Sequence, residues 1–343
     1  MALGRGGVTV ALDGYGAEQG FEALAEGARL AAADGIQVRV FGPERSLGLD
    51  GVENVEVIPT SEWIGNDEDP VPAVRSKPEA SVVRAARDVA EDAADAMVSP
   101  GSTGATMAAA TFGLRRLKGV QRPALAVQLP VPGKAVLFLD VGANVEVRAQ
   151  HLVQFAFLGA AFSAAVLEVE NPAVGLLTVG EEAGKGREEV VEAHRVLSAA
   201  SGIDFVGNVE GRDLPAAVAD VVVTDGFTGN VALKLMEGTA KVVAGAVGDA
   251  ARSNPVSAVG GLLLKPALGG LRRELHPDTT GGAILLGLRG TAVVGHGSSG
   301  PEGIANAVRL AARCAEVDAV GRTAALLRES GATRGALAAG EGS

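Results

Sequence analysis

Short apolar runs alternate with longer amphipathic stretches along most of the chain. The runs that have the length and composition of buried β-strands cover residues 8–12, 38–41, 55–58, 96–99, 135–140, 173–179, 221–224 and 291–295. Helical periodicity covers residues 17–34, 71–94 and 305–327. Apolar strands separated by helices are typical of a parallel sheet that is covered on both faces. The pattern therefore predicts an α/β fold with a mostly parallel sheet.

Glycine-rich segments follow six of these runs. They read DGYG (13–16), SPGSTGA (99–105), DVGAN (140–144), VGEEAGKG (179–186), DGFTGN (225–230) and HGSSG (296–300). In an open parallel sheet such loops gather at the carboxyl edge, where the following helices present free N–H groups. We therefore expect six loops at one edge and a site for a large anionic ligand. Tight turns also use glycine for steric reasons alone, which remains the alternative for any single loop.

Charge and cysteine content narrow the class of protein. The chain has 30 Lys and Arg against 41 Asp and Glu, a net charge of −11, which argues against a nucleic-acid partner. Its one cysteine, Cys314, has no partner for an internal disulfide, and we expect it to be inert in the core. The N-terminus lacks a signal-peptide pattern, and no apolar stretch reaches the roughly 18 residues of a membrane span. These features predict a cytoplasmic protein.

The chemistry-bearing residues favour phosphate over other ligands. The four histidines lack metal-ligand spacing, GYGAEQG lacks the dinucleotide fingerprint, and we expect neither a metal nor a cofactor. Lys185 lies between two glycines and is either a phosphate ligand or an exposed loop lysine. Asn144 and Asn230 begin helical stretches, so each is an oxyanion donor or a simple N-cap. His296 is a candidate proton donor or a loop-stabilising residue.

Several long sequence segments resemble those of a known family. They are SPGSTGA, RPALAVQLP (122–130), LDVGANVE (139–146), HLVQFA (151–156), GLLTVGEEAGKG (175–186), FVGNVEGRDL (205–214), DGFTGNVALK (225–234) and GGAILLGLRG (281–290) with HGSS (296–299). In this order they closely resemble the PlsX family of phosphate acyltransferases, from about residue 8 to 328.

The resemblance implies a fold, a reaction and partners. The fold is a three-layer α/β/α domain over residues 1–330, similar to phosphotransacetylase and the isopropylmalate dehydrogenase group, with residues 331–343 as a disordered tail. The reaction converts an acyl-[acyl-carrier protein] and inorganic phosphate into an acyl phosphate and the free carrier. The expected partners are the carrier protein, a second copy of the chain in a homodimer and the inner surface of the membrane.

Within this resemblance we assign the site residues. The candidate catalytic residues are Lys185, Asn230, His296 and Asp225. The candidate phosphate- or substrate-binding residues are Asp13, Gly101, Ser102, Thr103, Gly104, Asn144, Gly186, Gly226, Gly229 and Ser298.

Three loops depart from the family pattern. Asp13 is followed by Gly-Tyr-Gly, where the family has Ala-Met-Gly-Gly-Asp, and the second acid of that pattern is missing. Pro100 and Ser102 replace an Ala and an Asn, and Thr280 replaces a Tyr. A specialised paralogue that uses another acyl thioester, or a non-catalytic protein that binds acyl carriers, therefore stays open as an alternative. A decarboxylating dehydrogenase would need an acidic metal cluster and arginines that clamp a dicarboxylate, and neither is found.

Two segments are candidates for contact with partners. LRRLKGVQR (114–122) concentrates four cations, and Arg272 with Arg273 forms a second basic patch. These cations are either a docking surface for an acidic carrier protein or an ordinary solvated helix face. The apolar segment around residues 253–273 is a membrane anchor, a dimer contact or an acyl-chain wall.

Overall fold

The computed structural model describes residues 7–131, 133–274 and 277–330, so the predicted tail 331–343 lies outside the described residues. Its strands are β1 (Thr9–Asp13), β2 (Gln37–Gly42), β3 (Val55–Pro59), β4 (Ala96–Ser99), β5 (Ala124–Val131), β6 (Lys134–Leu139), β7 (Ala173–Leu177), β8 (Asp204–Val209), β9 (Val221–Val223), β10 (Ala283–Leu286) and β11 (Thr291–Val294). The predicted strands are all present. Strands β5, β8 and β10 were not predicted.

The strands form one sheet in the order β3-β2-β1-β4-β11-β10-β5-β6-β9-β7-β8. Most neighbours are parallel, which confirms the prediction of a mostly parallel sheet. The three pairings between β11 and β6, through β10 and β5, are antiparallel. Three reversals in succession make β6, β9, β7 and β8 run opposite to β1, β4 and β11. The carboxyl ends of the two halves therefore point to opposite edges of the sheet.

The described helices are α1 (Gly20–Ala33), α2 (Glu44–Leu47), α3 (Pro70–Ser76), α4 (Ser81–Ala90), α5 (Thr103–Leu114), α6 (Ala149–Val166), α7 (Glu188–Ser198), α8 (Gly226–Arg252), α9 (Pro255–Glu274), α10 (Pro301–Glu316) and α11 (Ala319–Glu329). The helix predicted over 71–94 is divided, because Pro78 lacks an N–H and moves Lys77 out of helical geometry, to φ −117° and ψ 70°. The helix predicted over 305–327 is also divided, at Asp318 with φ 49°.

Helices cover both faces of the sheet, which confirms the three-layer α/β/α prediction. One apolar core contains side chains of α1, α6, α7, α10 and α11. The other contains side chains of α3, α4 and α5, with the start of α8 packed against it. Helix α6 is the one described helix with the length and composition of a membrane span, at a mean hydropathy of 1.3. Because 78% of it is buried, its place in the core accounts for its apolar composition.

The thiol of Cys314 is expected to be unreactive in the folded protein. Burial raises its pKa to about 12, against a small opposing effect of Arg313. At pH 8 only about one thiol in 10⁴ would then be ionised, and the side chain is fully buried. We expect no reaction with an aromatic disulfide reagent at pH 8 and one equivalent after unfolding in guanidinium. Rapid labelling of the native protein would contradict this burial.

Candidate active site

The loops after β1, β4 and β11 form a first cluster. The Ser99 hydroxyl donates to Asp13 Oδ2 at 2.7 Å, and the Gly295 N–H donates to the Ser99 carbonyl at 2.8 Å. A Cβ on Gly16 would overlap the main chain of Gly101, so this glycine is required for contact between the two loops. The structure thus brings three of the six predicted loops together.

The Asp13 carboxylate holds the first cluster together through hydrogen bonds. It is only 4% exposed, and it also accepts from the Tyr15 N–H at 3.1 Å. Burial raises the pKa of Asp13, and hydrogen bonds from Ser81, Ser99 and Tyr15 oppose that rise. Since these bonds fix the loop after β1, the carboxylate orients neighbouring groups.

The start of α5 contributes Ser102, Thr103 and Gly104 to the first cluster. Ser102 is the N-cap, and its hydroxyl accepts from the Ala105 N–H at 3.4 Å. A Cβ on Gly104 would lie 2.6 Å from the Pro70 ring, so packing against α3 explains this glycine. Thr103 is exposed on the first turn of α5.

His296 and Ser298 complete the first cluster and connect it to α8. The Ser298 N–H donates to His296 Nδ1 at 3.3 Å, and the Ser298 hydroxyl lies 2.7 Å from the same nitrogen. His296 Nε2 lies 3.5 Å from the ammonium of Lys234, which also pairs with Glu237 at 2.8 Å. An imidazole, a hydroxyl and an ammonium group are therefore adjacent and exposed.

The loops after β6 and β9 form part of a second cluster, in which main chain contacts main chain. A Cβ on Gly229 would overlap the carbonyl oxygen of Asp140, and one on Gly226 would lie 2.8 Å from Asn144 N and O. The Gly226 N–H donates to the Asn144 carbonyl at 2.7 Å, and the Gly229 N–H donates to the Asp225 carbonyl at 2.9 Å. The neighbouring loop occupies the space beside these glycines, so close packing of main chain accounts for them, and their contact with an anion stays a prediction.

Asp140 and Asn144 hold the second cluster together. Asp140 is fully buried and accepts from four N–H groups, of Leu125, Ala143 and Asn144, the last through both its main chain and its amide. Burial raises the Asp140 pKa, and these hydrogen bonds oppose the rise. The Asn144 amide donates its two N–H groups to Asp140 and to the Pro123 carbonyl. Asn144 therefore positions Asp140, and its N–H groups are not directed at an oxyanion.

Asp225 is the N-cap of α8. It accepts from the Thr228 N–H at 2.9 Å and forms an ion pair with Arg187. Burial alone would raise the Asp225 pKa, but the bonds from Thr228 and the charge of Arg187 outweigh it and hold the pKa below its usual value. Asp225 therefore caps the start of α8 and carries a negative charge that Arg187 balances, and an anion site there stays a prediction.

The loop that carries Lys185 is built on β7 and β8. The Asn208 amide donates to the carbonyls of Gly180 at 3.3 Å and Glu182 at 2.8 Å, and the Thr178 hydroxyl donates to the Lys185 carbonyl at 3.2 Å. Gly186 has φ +109°, where a Cβ would overlap the Thr178 hydroxyl. The loop ends at Arg187, so its ion pair with Asp225 joins this loop to the second cluster. Lys185 is exposed there.

The six loops do not gather at one edge. Those after β1, β4 and β11 form the first cluster, and those after β6, β7 and β9 form the second, because the two sets of strands run in opposite directions. Helix α8 links the clusters. From Asp225 to Lys234 it rises about 13.5 Å, at 1.5 Å per residue, and the contact of Lys234 with His296 joins its third turn to the first cluster.

The sequence analysis missed four polar residues of this arrangement: Glu18, Arg187, Asn208 and Lys234. Glu18 supplies a carboxylate to the first cluster, and its N–H donates to the Gly297 carbonyl at 2.9 Å. Arg187 directly follows the last glycine of its loop, and Lys234 lies two turns into α8. The local sequence gave a weak signal for Arg187 and Lys234, because each of them pairs with a residue that is distant along the chain. Among the described residues no group of three His, Cys, Asp or Glu side chains is placed to hold a metal ion.

Comparison with solved structures defines the class of fold. A phosphotransacetylase from Staphylococcus aureus aligns with a TM-score of 0.58 at 16% identity, over 90% of this chain and 94% of its own. A branched-chain phosphotransacylase from Enterococcus faecalis V583 aligns with a TM-score of 0.57 at 17% identity, over 90% and 99%. The fold is that of the phosphotransacetylases.

Sequence comparison defines the family. The model of the family described as "Fatty acid synthesis protein" matches residues 8–322, and the chain belongs to that family. A phosphate acyltransferase of Elusimicrobium minutum (strain Pei191) is 45% identical over 312 residues, 89% of this chain and 91% of that protein. One of Streptococcus pneumoniae (strain ATCC 700669 / Spain 23F-1) is 41% identical over 321 residues, 92% of this chain and 97% of that protein.

Proposed function

We propose that the protein is a cytoplasmic phosphate acyltransferase, which moves the acyl group of an acyl-[acyl-carrier protein] to inorganic phosphate. Two findings support this activity. The chain belongs to the fatty acid synthesis family, and most of its length aligns with phosphate acyltransferases at 41–45% sequence identity. One observation on the site carries the proposal further. Helix α8 runs from the second cluster towards the first and brings Lys234 against His296, which places an exposed ammonium group beside the first cluster.

Exposed cations near the two clusters supply local positive charge to a chain that is acidic overall. Lys185 and Arg187 lie on the second cluster, and Lys234 lies where α8 reaches the first. Arg187 pairs with Asp225 and, at 2.9 Å, with Glu189, and its side chain is still 54% exposed. Phosphate near neutral pH is an anion that such donors bind through charge-assisted hydrogen bonds. We assign phosphate binding to Lys185, with Arg187 beside it.

The proposed reaction needs orientation and charge stabilisation more than a strong base. A phosphate oxygen attacks the thioester carbonyl, the new carbon–oxygen bond forms, and the carbon–sulfur bond breaks. The proton that leaves the phosphate ends on the carrier thiol, and we propose that His296 relays it. A thiol with a pKa near 8.5 leaves without strong acid assistance. We then expect most of the rate enhancement to come from the orientation of the two bound reactants and from preorganised hydrogen-bond donors.

Individual residues have separate roles in this proposal. Asn230 lies exposed on the second turn of α8, and we assign it as the donor to the oxyanion that forms on the thioester carbonyl. Asn144, Asp140 and Asp225 are positioning residues, because their hydrogen bonds hold the loops that carry the cations and Asn230.

The test is a direct assay of the purified protein. Incubation with an acyl-carrier thioester should give acyl phosphate, trapped as a hydroxamate, and free carrier thiol in equal amounts, and only when phosphate is present. Acyl transfer to an acyl-CoA acceptor or to water in place of phosphate would contradict the proposal. A parallel reaction with acyl-CoA as the donor distinguishes a carrier-specific enzyme from one that uses another thioester.

The carrier protein is proposed to dock on the loop that follows α5. Arg115, Arg116, Lys118 and Arg122 are all exposed there, which suits an acidic partner. Arg272 and Arg273 have side chains outside the described residues. Because Pro123 and Leu125, which follow this loop, are hydrogen-bonded to Asn144 and Asp140, a carrier bound there lies beside the second cluster.

Helices α8 and α9 expose an apolar surface that we propose to be an interface with a second copy of the chain and with the membrane. Its members include Val242, Val247, Val259, Leu262, Leu263 and Leu264, all largely exposed, with Leu263 at 77%. Apolar surface of this extent marks an interaction site on a soluble domain.

Changing Leu262, Leu263 and Leu264 together to serine is expected to release the protein from anionic liposomes. The physical reason is the loss of three apolar side chains that enter the lipid interface, worth roughly 1.5–3 kcal/mol each when buried. Flotation in a density gradient measures this, and light scattering measures the dimer. Unchanged flotation with loss of the dimer would assign the three leucines to the dimer contact instead.

A further inference from the structure

A small cavity with aromatic walls opens beside the first loop cluster. Its volume is about 250 Å³, and its wall contains Tyr15, Phe21, Trp63 and Ile64. The rings of Tyr15 and Trp63 stack at 5.1 Å and 10°, and Phe21 contacts Tyr15 edge to face at 5.6 Å. The chain has a single Trp and a single Tyr, so both are committed to this wall.

We propose that this cavity receives the acyl chain of the thioester substrate and limits its length. The inference rests on the proposed function and names the part of the substrate that the protein selects. The lining consists of glycines, Ala17, Asn66 and the four larger side chains above, and it includes no charged residue. An uncharged, aromatic wall suits a hydrocarbon chain and offers phosphate no counter-charge.

The position of the cavity connects it to the reacting groups. Gly14, Tyr15 and Gly16 line it and also form the loop after β1. The same loop is held by Asp13 and packs on Gly101, at the start of the loop that leads into α5. A chain that fills the cavity therefore leaves its carbonyl end beside the first loop cluster, which also holds His296.

The volume sets how much of the acyl chain the cavity encloses. A water molecule occupies about 30 Å³ of liquid, and a methylene group takes a similar volume, so about 250 Å³ accommodates roughly eight such groups. Longer chains must extend past Trp63, whose side chain is 51% exposed at the cavity mouth. The tyrosine hydroxyl already donates to the Thr60 carbonyl at 3.0 Å, so the Tyr15 ring is fixed as a wall.

Trp63 provides a direct measurement, because it is the only source of tryptophan fluorescence. Octanoyl-pantetheine added to the full-length protein is expected to shift the Trp63 emission to shorter wavelength and to saturate, whereas pantetheine alone leaves it unchanged. Ala17→Leu narrows the cavity, and we expect it to weaken octanoyl-pantetheine binding by about tenfold or more while acetyl-pantetheine turnover stays the same. Ala199→Leu, at the exposed end of α7, is the matched control.

The outcomes separate this inference from the proposed function. Unchanged Trp63 emission at octanoyl-pantetheine concentrations that saturate acyl phosphate formation would overturn the cavity assignment and leave the reaction standing. An equal response to pantetheine alone would also overturn it. A saturable, Ala17-dependent shift in a protein that forms no acyl phosphate would keep the acyl-chain site and reject the reaction.

Discussion

Gly229→Ala is expected to destabilise the protein by about 3 kcal/mol or more and to abolish activity. The added Cβ would overlap the carbonyl oxygen of Asp140, which belongs to main chain and cannot rotate away. At roughly 2–4 °C per kcal/mol, the thermal midpoint should fall by roughly 6–12 °C. Differential scanning calorimetry measures this change.

Gly238→Ala in the same helix is the matched control. A Cβ there meets no heavy atom within 4 Å, and the residue is exposed. Removing a helical glycine should raise stability by about 1 kcal/mol. If the two variants had equal stability, the close packing of α8 on the loop after β6 would be wrong.

Lys185→Ala is expected to lower kcat/KM for phosphate by about 10²–10³-fold while the fold survives. The exposed ammonium has no structural contact that its loss would break, whereas the loop itself is held by Asn208 and Thr178. Steady-state kinetics with varied phosphate, together with an unchanged thermal midpoint, tests the assignment.

Arg195→Ala is the control for Lys185→Ala. Arg195 is an exposed cation on the following helix and pairs with Glu192 one turn away. Its loss should leave the phosphate kinetics unchanged, because it lies in the last turn of α7 and not in the loop that carries Lys185. Near-normal turnover of Lys185→Ala at low phosphate would remove Lys185 from the site and transfer phosphate binding to Arg187 and Lys234.

Strand positions could be predicted from the sequence, but strand direction could not. The strands followed by glycine-rich loops are apolar and easily recognised. Strand β8 carries Asp204, Gly207 and Asn208, and β5 contains Gln128 and Pro130, so both interrupt the apolar pattern. Since β5 and β10 provide the antiparallel pairings, missing them led to the wrong expectation of a single edge.

Glycine positions show a similar limit. The sequence indicates that something approaches the main chain at Gly226 and Gly229, but not whether it is a ligand or another loop. Here it is the loop after β6, which Asp140 secures with its four hydrogen bonds. Lys234 and His296 are 62 residues apart along the chain, so the local sequence does not indicate that they are in contact.

The reversal of strand direction between β11 and β6 puts the two loop clusters on different halves of the sheet, with α8 joining them. In the proposed arrangement, the half that contains β1, β4 and β11 selects the acyl chain. The half that contains β6, β7 and β9 binds phosphate. Substitutions around Trp63 are then expected to change the preference for acyl-chain length without weakening the binding of phosphate. The preference for one substrate would then vary in variants of the chain independently of the preference for the other.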